Sequence, residues 1–256
     1  MRTGAALTTL FLILSSAAGC RTRQSPQAAM DMGAMGALDS TDERTDQAAH
    51  EAMSETMTMD PHMTLTPLRR PSAADSGRAA ELVQLIRRAL DRYRNVRAAE
   101  ADGFRQFLPG VKQPTYHFTK RRWALAEMFR FDPAKPTSLL YRPGADGGFV
   151  LTGVMYTAPA RTSLDELDRR IPLSVARWHE HVNWCLPPVG QAARWRETRD
   201  GKPVFGPKSP IATGEACAAV GGRFVPRIFG WMVHVMAFAS EDPKVIWGGG
   251  LDHMHS

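Results

Sequence analysis

The sequence predicts an α+β domain in which one long N-terminal amphipathic helix packs on an antiparallel sheet, preceded by a disordered tail. Apolar residues return at three- and four-residue steps over residues 79–102, the period of a helix with one buried face. Short apolar runs separated by Gly- and Pro-rich turns follow, as antiparallel strands do. Residues 21–77 carry no sustained period of either kind. A helix followed by successive strands is typical of the α+β class.

The composition is that of a globular protein with a charge asymmetry along the chain. Of 256 residues, 43% are hydrophobic and 23% are charged, which excludes collagen-like, coiled-coil and wholly disordered chains. Residues 21–77 hold five Arg against nine Asp or Glu, whereas residues 78–256 hold 26 Lys or Arg against 17 Asp or Glu. The chain therefore divides into a leader (1–20), an acidic linker (21–77) and one basic globular domain (78–256).

The first twenty residues have the pattern of an export signal. Arg2 is followed by the apolar run 5–14 and then by small residues. The run is shorter than the roughly 20 apolar residues that span a bilayer. Residues 17–20, Ala-Ala-Gly-Cys, resemble the lipobox of bacterial lipoproteins, except that Ala stands where Leu is usual. An ordinary secretory signal, cut near Gly19 to leave Cys20 as a free thiol, is the alternative.

The lipobox resemblance implies a compartment and a membrane partner. Cys20 would become the acylated (palmitate-bearing) first residue of the mature chain, which would be held to membrane lipid and face the periplasm. Arg21 is not the Asp that retains many lipoproteins in the inner membrane. The resemblance therefore favours the outer membrane.

The acidic linker is unusually rich in methionine. Seven of the thirteen methionines of the chain lie in it, and His50 and His62 lie among them. Thioether sulfur is a soft ligand that selects Cu(I), and imidazole also suits copper. The segment resembles the Met-rich segments of bacterial periplasmic copper-handling proteins, and the alternative is a low-complexity linker that accumulated Met. The residues predicted to capture metal are Met30, Met32, Met35, Met57, Met59, His62 and Met63.

Two helices are predicted in the domain. The first spans residues 79–102 and ends at Gly103. Its outer face is rich in arginine, and it is solvated or meets lipid head groups or an acidic partner. The second is short. Ser163 and Glu166 form a capping box at its start, and Pro172 ends it.

The strand predictions follow in chain order. Residues 138–141 and 149–156 flank a Gly-rich loop and predict a hairpin. Residues 176–185 and 229–239 predict two further strands. Residues 191–225, rich in Gly, Pro and charge, predict a long loop.

The two internal cysteines are predicted to form a disulfide. An exported chain with Cys185 and Cys217 most simply pairs them. Closing a loop of roughly thirty residues stabilises a fold by about 3–4 kcal/mol in the chain-entropy model. The alternative is that Cys185 is a metal-binding thiolate.

Histidines alternate along the predicted strands. One face of the first strand carries His179, His181, Asn183 and Cys185, and the other carries Trp178, Glu180, Val182 and Trp184. If the 229–239 strand lies alongside with its histidine facing the same way, these side chains converge, and His117 joins from an earlier segment. The predicted metal ligands are His117, His179, His181, Met232, His234 and Met236.

Imidazoles with a thioether form a copper set, and a zinc set if the methionines do not take part. The alternative interpretation makes His179 and His181 surface residues and His234 a hydrogen-bonded core histidine.

Several short motifs of the domain together resemble secreted bacterial proteins of unknown function, a resemblance that implies no activity. They are Tyr116-His117-Phe118, Phe131-Asp132-Pro133, Leu139-Leu140-Tyr141, Gly153-Val154-Met155-Tyr156 and Trp231-x-x-His234. Protease, hydrolase, phosphate-loop, dinucleotide and c-type haem signatures are absent from the sequence, so no catalytic residue is predicted.

Three functions remain open from the sequence. The first is a membrane-tethered periplasmic metal-binding lipoprotein, with copper as the metal and zinc as the alternative. The second is a metal-dependent envelope enzyme that uses the histidines. The third is a lipoprotein that engages an envelope protein without metal. The predicted location argues against a nucleic-acid partner despite the basic domain.

Overall fold

A computed structural model describes residues 61–107, 109 and 114–248. The predicted α+β class is confirmed, with several helices and a large antiparallel sheet. The strands are β1 Met63–Leu65, β2 Arg105–Gln106, β3 Tyr116–Thr119, β4 Ser138–Pro143, β5 Phe149–Ala158, β6 His179–Leu186, β7 Thr198–Arg199, β8 Lys202–Pro203, β9 Arg223–Arg227 and β10 Trp231–Val235. The helices are α1 Ala73–Leu90, α2 Val96–Ala101, α3 Arg121–Glu127, α4 Leu164–Arg170, α5 Gly214–Ala219 and α6 Pro243–Gly248.

The main sheet has the strand order β1-β6-β10-β5-β4-β3-β2, and β9 continues along β6 beyond β10. Every pair in it is antiparallel. Strands β7 and β8 form a separate two-stranded sheet. Strands that are distant in sequence, β6 and β10, are therefore neighbours, and this adjacency positions the candidate site.

The segment for which the sequence predicts one helix is divided into three helical pieces. Helix α1 begins earlier than predicted, after Ser72, whose side chain accepts a hydrogen bond from the Asp75 N–H. A 3-10 turn at Asp91–Arg94 follows, and Asn95 caps α2. The division follows from this second cap, because an Asn that accepts a backbone N–H starts a new helix rather than continuing the old one.

One face of the sheet packs against the helices and forms the main core. Ile86 and Leu90 of α1 lie in the same cluster as Tyr156 of β5 and Val233 of β10. Trp178, which is fully buried, completes this layer. The apolar face of α1 therefore covers one side of the sheet, and the opposite side carries different chemistry.

The β4–β5 hairpin and helix α4 form as the sequence predicts. In the loop, the Gly144 N–H donates to the Gly148 carbonyl at 2.8 Å, and Gly147 adopts a φ of 79°, which favours glycine. At α4, the Ser163 side chain accepts from the Glu166 N–H at 3.2 Å. These turns depend on contacts between residues close together in the sequence, so the sequence pattern is enough to predict them.

Residues 191–225 are not the featureless loop that the sequence predicts. They contain a 3-10 turn at Ala192–Arg196, strands β7 and β8 and helix α5, and they run into β9. Each element is only two to six residues long, too short for a hydrophobic period to appear. The predicted disulfide between Cys185 and Cys217 is present and links β6 to α5.

The last part of the predicted disordered linker, residues 61–77, contains strand β1 and the beginning of helix α1. Strand β1 pairs with β6, with Met63 opposite His181 and Leu65 opposite His179. The Thr66 N–H then donates to the Trp178 carbonyl at 2.8 Å. Backbone pairing with a strand more than a hundred residues away orders this segment, which is why no local period indicates it. The leader and residues 21–60 lie outside the described residues. No helix in the described ranges is long and apolar enough to cross a membrane.

Candidate metal centre

The sheet face opposite the helices carries four histidines, which we call the histidine cluster: His117 of β3, His179 and His181 of β6, and His234 of β10. The strand register brings them together. His179 pairs with Met232, and His234 pairs with Met155. Directly paired residues of antiparallel strands project from the same face of a sheet.

The four rings form a connected row. The ring centroids of His181 and His179 are 5.6 Å apart, those of His179 and His234 are 5.4 Å apart, and those of His234 and His117 are 5.6 Å apart. The row begins on β6, next to β1, and ends on β3, and β5 and β4 lie between β10 and β3 in the strand order. His117, His179 and His181 are each at most 2% exposed. His179 and His181 are therefore not the surface residues of the alternative interpretation.

Methionines lie among these rings. Met232 and Met155 form an apolar cluster with Leu140, against which Met236 and Phe229 pack. The Met236 sulfur lies 3.1 Å from the position that a Cβ on Gly153 would occupy. Gly153 therefore leaves the space that this thioether fills. Both predicted methionine ligands lie on the same face as the rings, and Met155 is a third thioether that the sequence analysis did not select.

Burial keeps the central imidazoles neutral. Removal from water, and after it the neighbouring His234 and His181 rings, lowers the pKa of His179 well below its ordinary value. Burial alone lowers the pKa of His234 to about 4. A metal binds the neutral ring through its nitrogen lone pair, so both rings hold the binding form at pH 7.

The ring nitrogens at the centre of the row are also uncommitted. Among the described residues, neither nitrogen of His179 has a hydrogen-bond partner, and neither does Nε2 of His234, although all three are shielded from solvent. Leaving a buried polar atom without a partner costs about 1–3 kcal/mol. A bound metal ion would use such a lone pair.

The spacing of the His179 and His234 rings would allow the two to share one metal ion. An ion bound to an imidazole nitrogen lies about 3 Å from the ring centre, so two rings that share it are roughly 5–6 Å apart. The 5.4 Å between His179 and His234 falls in this range. In the described part of the chain, no three His, Cys, Asp or Glu side chains are grouped to hold one ion. Zinc sites need three or four such ligands, whereas two imidazoles with the Met232 thioether form a Cu(I)-type set.

The predicted alternation along β6 fails beyond Val182. Asn183 has a φ of 60°, a left-handed conformation that turns the following side chains. Trp184 lies beside His181, with 5.7 Å between the rings, and packs in a different cluster from Trp178. Cys185 packs with Cys217 at the disulfide. The thiolate alternative for Cys185 is therefore wrong.

Two of the predicted tail ligands, His62 and Met63, lie in the described part of the chain. His62 is buried in the domain, and Met63 lies next to the histidine cluster. His62 is 1% exposed, with Nδ1 3.0 Å from the Asn183 carbonyl and Nε2 2.5 Å from the Ser209 carbonyl. These contacts fix the segment to the domain. Met63 is half-buried and opposite His181. The other predicted tail ligands (Met30, Met32, Met35, Met57 and Met59) and Cys20 lie outside the described residues.

A buried carboxyl group next to this face was missed from the sequence. Glu127, at the end of α3, is 2% exposed, and its Oε2 accepts from the Thr157 N–H at 3.1 Å and from the Thr137 hydroxyl. Burial raises its pKa to about 8, against the opposing effect of these hydrogen bonds. Thr157 pairs with Met232, so the carboxyl lies one strand beyond the thioether. No spacing in the sequence indicates it, because Glu127 reaches β5 only through the tertiary fold.

No family model, curated protein or solved structure matches the chain.

Proposed function

We propose that this chain is a periplasmic copper-binding lipoprotein, tethered to the membrane through an acylated Cys20, whose domain holds Cu(I) in the histidine cluster. The observation that carries the proposal is the pairing of His179 with Met232 beside His234. This pairing gives two neutral imidazoles and a thioether on one face of the sheet, with both His179 nitrogens and Nε2 of His234 shielded from solvent. Zinc is the alternative metal, and these ligands fit it less well than they fit Cu(I).

Carriage is better supported than catalysis. A catalytic metal site keeps an open position facing a substrate cavity. Both nitrogens of His179 and Nε2 of His234 are shielded from solvent. A cavity lined by Arg87, Arg94 and Phe238 lies away from them, at the C-terminal end of α1. The second candidate function is binding of an envelope protein at this cavity, whose lining combines Arg87, Arg88 and Arg94 with Asp91 and Glu241.

The test is a Cu(I) competition titration of the full chain in detergent, with a chromophoric Cu(I) chelator as the competitor. We expect His179→Ala with His234→Ala to lower the affinity of the tightest site by more than about 100-fold, beyond the loss typical of outer-shell changes. The matched control is Val233→Ala, which lies between Met232 and His234 in sequence but faces the helices. It should lower the melting temperature without changing the affinity.

Two results would overturn the copper proposal. The first is unchanged Cu(I) affinity in the double variant. The second is equal loss in the double variant and in Val233→Ala, which would make the effect one of stability. Binding of Zn(II) in preference to Cu(I) would replace copper by zinc.

The lipid anchor has its own test. Metabolic labelling of expressing bacteria with an alkyne analogue of palmitate should tag the chain, and Cys20→Ser should abolish the tag. Labelling that persists in the variant would contradict acylation at Cys20. A chain that is never labelled would indicate an ordinary secretory signal.

A further inference from the structure

Strand β1 places a methionine of the tail at the end of the row of imidazoles. Met63 and His181 are direct partners in the β1–β6 pair, so both side chains project from the same face. His181 is 5.6 Å from His179, which is 5.4 Å from His234. A thioether at the sheet edge is therefore followed by three imidazoles leading inward.

Exposure falls over the first part of this row, from Met63 to His179, and His234 at its far end is half-buried. Met63 is half-buried, whereas His181 is 0% and His179 is 1% exposed. Trp184 and Phe229 stand beside the His181 ring, with centroids 5.7 Å and 6.4 Å away. Solvent therefore reaches the row more readily at Met63 than at His181 or His179.

The attachment of β1 is firm enough to hold this position. The Val182 N–H donates to the His62 carbonyl at 2.8 Å, and the Thr66 N–H donates to the Trp178 carbonyl at 2.8 Å. These bonds flank Met63 on both sides. In the sequence, Met57 and Met59 precede Met63 by six and four residues.

From this arrangement we propose that Met63 and His181 form an outer copper position that accepts Cu(I) from the methionine-rich tail and passes it to His179 and His234. This inference rests on the proposed function, since it assigns a role to one end of the same site. The ligand class is Cu(I) bound to thioethers, which the tail supplies.

Each step along the row is a ligand exchange. A bond from copper to the Met63 sulfur forms as a bond to a tail or chelator ligand breaks, and a bond to an imidazole nitrogen then replaces it. The ion remains Cu(I), no electron is transferred, and a thioether carries no proton to lose. Met63 is thus expected to govern how fast the inner site fills rather than how tightly it binds.

The experiment measures the rate at which the full chain takes Cu(I) from a chromophoric chelator, followed by stopped-flow absorbance in the parent and in Met63→Leu. Leu keeps an apolar side chain of similar size and removes the sulfur. The control is Met128→Leu, because Met128 follows α3 and takes no part in the row. We expect Met63→Leu to slow filling of the inner site by about tenfold, the lower range for loss of a supporting metal contact, and to leave its equilibrium affinity within about twofold of the parent.

The outcomes separate this inference from the proposed function. If the parent binds Cu(I) tightly through His179 and His234 but Met63→Leu fills at the parent rate, the outer position is overturned and the inner site stands. If Met63→Leu weakens equilibrium binding as much as His179→Ala does, Met63 is an inner ligand, which also overturns it. If the inner histidines do not affect binding, the proposed function itself fails.

Discussion

His179 and Met232 are direct partners in the β6–β10 pair, so an imidazole and a thioether lie side by side on one face of the sheet. Both belong to central strands, with β1 on one flank and β5 on the other. Ligands on interior strands are held more firmly than ligands on loops. The candidate site therefore needs little backbone movement to bind an ion, in contrast to the capture segment predicted in the tail.

Cu(I) should stabilise the folded chain through this site. A ligand at about 100 times its dissociation constant stabilises the native state by about 2.7 kcal/mol, which raises the Tm of a domain of this size by several degrees, at roughly 2–4 °C per kcal/mol. The measurement is thermal unfolding of the full chain with and without Cu(I). We expect the shift to disappear in His234→Ala and to persist in Val233→Ala. A shift retained in His234→Ala would place the bound copper elsewhere, such as in the tail.

Glu127 should make stability fall as pH rises. Burial raises its folded pKa to about 8, so the folded state holds a proton that the unfolded state releases near pH 4.5. The contribution is fully present below about pH 4.5 and is lost as pH rises through about 8. Chemical denaturation across this range should show the free energy of unfolding of Glu127→Gln declining less than that of the parent. Parallel profiles for the two proteins would mean that the pKa of Glu127 is not raised in the folded state.

Gly153 should be intolerant of any side chain. A Cβ there would lie 2.5 Å from the Val235 carbonyl oxygen and 2.9 Å from the Met236 Cα, which are backbone atoms of the strand that carries His234 and of the residue just beyond it. Gly153→Ala should therefore cost about 1–3 kcal/mol, the usual range for overpacking, and should weaken Cu(I) binding by displacing β10. The control is Gly77→Ala, where nothing lies within 4 Å and removal of a helical glycine should stabilise by about 0.5–1 kcal/mol. A neutral Gly153→Ala would show that β10 can move away without cost.

The fold class, and the strand face on which each histidine lies, follow from local patterns. Two-residue alternation places His179 on one face of the 176–185 strand. It also places Met232 and His234 together on one face of the 229–239 strand. Whether the two strands are neighbours is determined by the tertiary fold, and the sequence analysis could only assume it. The same limit explains Met155 and Glu127, whose roles depend on which strand lies beside them.

Failures of the sequence analysis have identifiable physical causes. The left-handed backbone at Asn183 ends the alternation of β6, and an Asn is compatible with either conformation. Strand β1 spans only three residues and is ordered by hydrogen bonds to a distant strand. Neither cause leaves a period in the sequence, so the tail was predicted to be disordered where it is in fact paired.

Thr66 offers a direct test of whether the tail is anchored to the domain. It is 1% exposed, and its hydroxyl oxygen accepts the Trp178 N–H at 3.1 Å. Thr66→Val keeps the shape and removes this acceptor, so a buried N–H loses its partner at a cost of about 1–3 kcal/mol. Thr64→Val is the control, because Thr64 is exposed on the same segment and a change there should stay within about 0.5 kcal/mol. Urea denaturation of both metal-free variants measures the difference. Equal stability of the two would mean that the segment does not hold to β6 in solution, and Met63 would then have no fixed position opposite His181.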